Sequence, residues 1–189
     1  MATKSNIFND YHIGVNDVVN SRKWFGEKVA EMKRGRKITP DKALASANYM
    51  TTTIKPGSLY LFFYDPKFKE TLPHYDMFPL VFPYKPAPGG FLGLNMHYLG
   101  YKERFALFKK LLDINGSNIT DTTKIQYSWS MINGMAQLAN AKFCIKHYLN
   151  EHVASPFSKV APNDWTTAML MPVEKFVGDT KENIWARNR

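Results

Sequence analysis

The residues able to do proton or metal chemistry are few: the carboxylates Asp65, Glu70 and Asp76, histidines at 12, 74, 97, 147 and 152, and the lone Cys144. His74 and Asp76 are two apart, so an extended segment would point both to one side. A metal site there would still lack the further ligands such ions require. His147 and His152 are five apart, which does not align two imidazoles on one helix face as a spacing of four would. Asp65 precedes Pro66, and Asp76 sits in the proline-framed stretch 72–83. Aspartates in such places bond their own turn backbone, so both read as braces rather than as acids or bases. His97, inside an apolar block, reads as a hydrogen-bonded structural histidine. Cys144 lies in an apolar stretch expected to be helical and reads as a buried, inert thiol. No Walker loop, Gly-x-Ser-x-Gly, His-Glu-x-x-His or Cys–His arrangement occurs. Gly89, Gly90 and Gly93 do not link a strand to a helix as a dinucleotide fingerprint would. The expectation is a protein that is not an enzyme and holds neither cofactor nor metal.

Binding is the remaining class of function, and charge bears on it. The 189-residue chain carries a formal net charge of +9 and has a pI near 9.5. Such a balance favours anionic partners: nucleic acid, an acidic protein face or a membrane surface. Basic residues gather at 28–42, 102–110 and 142–146. These read first as solvated helix faces, with Lys33, Arg34, Arg36, Lys37, Lys109 and Lys110 as candidate nucleic-acid contacts. No apolar run approaches the roughly 20 residues that span a bilayer. The first residues lack the apolar centre of a secretory leader, so the expected location is the cytoplasm.

The elements that must position these groups follow from periodicity. Aromatic content of 14% and hydrophobic content of 44% argue for a folded chain. Residues 1–15 read as an arm and 16–189 as one domain. Helices are expected over 16–34, 102–113, 124–138 and 141–152, with Ile145, Leu149 and Val153 as the inner stripe of the last. A second short helix through residue 48 and a short polar helix near the C-terminus complete the set. Strands are expected near 57–64, 78–83, 91–99 and 165–171. The 78–83 strand has proline on both sides, which places it at a sheet edge. Residues 57–63 are apolar at consecutive positions, which fits a strand covered on both faces. The resulting fold class is α+β, one small antiparallel sheet covered by four or so helices.

Three motifs, Tyr64-Asp-Pro-Lys67, Leu72-Pro-His-Tyr-Asp-Met-Phe-Pro-Leu-Val81 and Gly90-Phe-Leu-Gly-Leu-Asn-Met-His-Tyr-Leu99, resemble a family of small proteins of T4-like tailed bacteriophages. The likeness runs from about Trp24 to Trp185. It implies a phage protein whose genes lie among those for virion and DNA-processing components. With no catalytic fingerprint, the leading expectation is a structural or assembly protein of the tail or baseplate. It would start in the host cytoplasm and end in the virion, contacting other phage structural proteins in a multi-copy assembly. Tyr64, His74, Tyr75, Tyr84 and Tyr98, in and around loops 65–78 and 84–90, are the candidate interface, since rigid loops lose little entropy on docking. The alternative is a DNA-associated phage protein acting at genome ends or in replication. A nuclease or cell-wall hydrolase is the third reading.

Overall fold

The computed structural model describes residues 50–101, 139–161 and 164–188, together with Glu27, Glu103, Arg104, Ser130 and Ile132. Consecutive apolar residues dictate the centre of the fold. In β2 (Leu59–Leu61) and just beyond it, Leu59 and Leu61 enter one hydrophobic cluster while Tyr60 and Phe62 enter another. Side chains alternate across a strand, so an unbroken apolar run needs cover on both faces. The first cluster also takes Leu80, Phe82, Leu94, Met96 and Trp165. The second is aromatic, with the Phe62 ring edge-on to Phe157 and Tyr148 at centroid distances of 4.9 and 5.3 Å.

Around β2 lies an antiparallel six-stranded sheet in the order β1-β7-β2-β4-β5-β6. The strands are β1 (Met50–Thr51), β4 (Leu80–Ala87), β5 (Gly90–Asn95), β6 (Ile145–Leu149) and β7 (Phe157–Val160). A two-stranded sheet pairs β3 (Tyr75–Asp76) with β8 (Phe176–Val177). Two α-helices are described, α1 (Trp165–Leu170) and α2 (Lys181–Arg187). The expected sheet covered by four or so helices is therefore corrected: eight strands in two sheets dominate the described residues. The helix expected over 16–34 lies outside those residues apart from Glu27, as does the one ending near 48. Those over 102–113 and 124–138 are described only at Glu103, Arg104, Ser130 and Ile132. The division into a 1–15 arm and a 16–189 domain rests largely on the same region.

Three element assignments change for identifiable reasons. Residues 141–152, expected as a helix, form the end of a 3₁₀ turn, then β6, then a second 3₁₀ turn. The spacing of Ile145, Leu149 and Val153 mimics a helical stripe, but pairing of all five β6 residues with Gly90–Leu94 of β5 overrides that local preference. Residues 165–170, expected as a strand, are helical, and Trp165, Ala168 and Met169 are buried. That is the i, i+3, i+4 pattern of an amphipathic helix. Trp165 donates its indole N–H to the Val160 carbonyl at 3.1 Å and packs edge-on against Phe82. β4, expected at an edge, lies inside the sheet between β2 and β5. Its prolines are tolerated because β2 pairs only with Leu80 and Val81. From Pro83 onward the ladder is with β5 alone, and the register shifts between Pro83 and Lys85, a bulge where the missing N–H costs little.

Candidate functional site

Two polar features converge on the end of β5. The first is buried. Asn95, the last residue of β5, accepts the His97 backbone N–H at 2.9 Å and so starts the 3₁₀ turn Met96–Tyr98. Its side-chain amide donates to Asp76 Oδ2 at 3.2 Å, and His97 Nδ1 lies 2.8 Å from the same oxygen. Asp76 Oδ1 accepts the Phe78 N–H at 3.0 Å. Burial alone would push the Asp76 carboxyl up. The imidazole beside it and the hydrogen bonds from His97, Asn95 and Phe78 outweigh that and hold it below the ordinary carboxylate range. Next to this cluster Arg104 donates to the carbonyls of Leu99, Met169 and His97 and pairs with Glu174 at 2.6 Å. For Glu174, too, burial pushes the carboxyl up but is outweighed, here first by the charges of His97 and Arg104. A histidine–aspartate pair at 2.8 Å has the geometry of a base with its orienting carboxylate. Both side chains are almost fully buried, and the pair ties β3 to the end of β5.

The second feature is open. A cleft of about 320 Å³ lies between the segment 64–76 and the sheet edge, where all five residues of β6 border it. Asp76, Asn95 and Tyr98 form its base. Besides its tyrosines, its other ionisable linings are basic: Lys67, His74, Lys146 and His147. The Lys146 ammonium stands 4.0 Å above the Tyr98 ring, and partial burial lowers its pKa. Burial likewise lowers the His74 pKa, helped by the nearby charges of Lys146 and Arg187. Phe68, 62% exposed, forms an apolar lip, and Leu72 is exposed beside it. Across the cleft Tyr64 accepts the Leu149 N–H on its hydroxyl at 3.1 Å, which joins the loop segment to the edge strand.

Four of the five candidate interface residues, Tyr64, His74, Tyr75 and Tyr98, meet in this cleft. Tyr84 does not: it is buried in the larger hydrophobic cluster, and burial raises its phenol pKa. Lys33, Arg34, Arg36, Lys37, Lys109 and Lys110 lie outside the described residues. Asp65 is exposed and pairs with Lys69 at 2.9 Å, four residues on. Cys144 is buried, and burial pushes its thiol up to about 12. Among the described residues no group of three His, Cys, Asp or Glu is placed to hold a metal ion, and no helix is long and apolar enough to cross a membrane. Sequence reasoning missed Lys67, Phe68, Lys146 and the buried Arg104–Glu174 pair. One signal exists for the first two: Lys67-Phe68-Lys69 interleaves cations with an aromatic, the pattern expected of a surface for bases and phosphates. Lys146 and Arg104 fall in the basic stretches 142–146 and 102–110, but nothing local singles out Lys146 within its stretch or pairs Arg104 with Glu174, because their partners are distant in sequence.

Residues 4–188 match the model of the family described as phage T4 terminal DNA protecting protein, and the chain belongs to that family. No curated protein and no solved structure matches it.

Proposed function

We propose that this member of the terminal DNA protecting family binds the ends of linear DNA in a phage-infected cell and shields them from degradation. The observation that carries the reading is the family match across residues 4–188. The formal charge of +9 supports it, because phosphate contacts supply most of the affinity of any DNA-binding protein. The cleft supports it further, since a cationic, aromatic-lined recess at a sheet edge suits a DNA terminus better than the flank of a duplex. Of the expectations drawn from sequence, the family's description favours the DNA-associated alternative over a tail or baseplate part. Protection by occupancy needs no catalytic group.

The test compares one linear duplex with the same sequence as a closed circle. The chain should bind the linear form more tightly and slow its digestion by an end-dependent exonuclease, while a nuclease that cuts internally is unaffected. Log affinity should fall with log salt by about 0.9 per phosphate contact. Equal affinity for circle and linear DNA, with no delay in end digestion, would overturn the reading.

A further inference from the structure

The cleft has features that a binding face for the side of a duplex would not need. Its volume of about 320 Å³ lies at the lower end of the roughly 300–1,000 Å³ that enclose small ligands. It is therefore large enough for a single nucleotide. Its one carboxylate, Asp76, is committed to Phe78, Asn95 and His97. Lys67 and Lys146 are thus left as its two lysine amines. Lys146 is half-buried and rests on Tyr98, with no carboxylate within ion-pair distance among the described residues. A cation removed from water without a counter-ion is unfavourable, and an incoming phosphate would offset that cost. Phe68 and Tyr75 have no aromatic ring against them among the described residues, unlike Tyr64, Tyr98 and Tyr148 in the same walls. Stacking surface is therefore available at the mouth. His74 borders the cleft, and its buried Nδ1 has no hydrogen-bond partner among the described residues.

We propose that the cleft receives the terminal nucleotide of a DNA end, its base unpaired and stacked at Phe68 and Tyr75, its phosphate beside Lys146 and Lys67. This rests on the reading of the chain as a binder of DNA ends. The terminal pair of a duplex has a stacked neighbour on one side only, so it opens more readily than an internal one. Enzymes that extrude a base meet the same unpairing cost, which falls when the base is already unpaired. A cleft that admits one base would thus distinguish an end from an internal site without reading sequence.

The experiment measures the affinity of the full chain for two linear duplexes of one sequence, blunt-paired or with a single mismatched terminal pair, against the closed circle as reference. The mismatched end should bind more tightly because its base is already free. Phe68→Ala, at a mostly exposed position, should lower that end affinity roughly 5- to 150-fold, the equivalent of one lost base stack. Lys146→Gln should also abolish the preference for the mismatched end. Linear DNA preferred over the circle, but with paired and mismatched ends bound equally, would overturn the cleft assignment and leave end binding standing. So would a mismatch preference that Phe68→Ala retains. No preference for linear DNA would overturn both. Phe68→Ala keeps the test decisive even if the half-buried Lys146 cannot be replaced without unfolding.

Discussion

The two polar regions at the end of β5 share Asp76, Asn95 and Tyr98 yet differ in kind. On one side His97, Asp76, Arg104 and Glu174 form a cluster from which solvent is excluded. On the other, Lys67, Phe68, His74 and Lys146 border an open cleft. The side chains that look most like catalytic machinery are the sealed ones. Those that border the open cleft are two lysines, a histidine and a phenylalanine. The contrast follows from burial: a titratable group removed from water persists only when paired and hydrogen-bonded, so the best-formed ionic geometry is found where nothing can enter. Open sites tolerate unpaired charge because water solvates it until a ligand arrives.

Breaking the sealed side should have the largest effect. Arg104→Met takes the guanidinium from the buried Glu174 carboxylate and leaves Lys181, 3.8 Å away, as its remaining cation. The expected loss is about 3 kcal/mol, the lower end of the cost of breaking a buried pair, read as the shift in urea midpoint. A loss below about 1 kcal/mol would mean that Glu174 is solvated in solution.

Acid should separate the two sides next. Asp76 and Glu174 both have carboxyl pKa values lowered on folding. Their stabilising contribution is thus complete above the unfolded carboxyl values near pH 4 and is lost as pH falls through the lower folded values. The urea midpoint should decline from about pH 4.5 downward, and Asp76→Asn should flatten part of that decline. A midpoint constant between about pH 5 and pH 3 would refute the assignment.

Gly90 lies where the start of β5 packs closely against β6. A Cβ there would collide with the Tyr148 carbonyl in the neighbouring strand. Gly90→Ala must therefore push β6 outward or bend the hairpin, at an expected cost of about 1–3 kcal/mol. Because β6 borders the cleft, DNA-end affinity should fall together with stability in this variant. Arg104→Met should instead lower stability while the molecules that remain folded keep most of their affinity. Smallest for the fold, and specific to the open side, is Lys67→Ala. Stability should stay within about 0.5 kcal/mol, while the slope of log affinity against log salt should drop by about one. An unchanged slope would remove Lys67 from the phosphate contacts.

Much of the bracing is legible in the sequence. Asp76 as a loop brace and His97 as a structural histidine follow from a carboxylate framed by prolines and an imidazole within an apolar run. That each is the other's partner does not follow, since 21 residues separate them. The cleft is half legible. Tyr64, His74, Tyr75 and Tyr98 stand out as aromatic or polar residues in rigid loops, but Tyr84, chosen on the same grounds, is core. Composition cannot tell an aromatic that lines a recess from one that fills the interior.

The sequence by itself determined that β2 must be covered on both faces, because an unbroken apolar run leaves no face for water. It also determined a surplus of positive charge, which favours an anionic partner. Only the tertiary structure decided that 145–149 is a strand, that the proline-bearing β4 lies inside the sheet, and that 165–170 is helical. In each case pairing or packing with distant residues outweighed a weak local preference. It also brought Tyr64 to Leu149 across 85 positions and so made a cleft from segments that carry no signal alone. A recess is a relation between surfaces, and no local pattern of residues encodes the space between them.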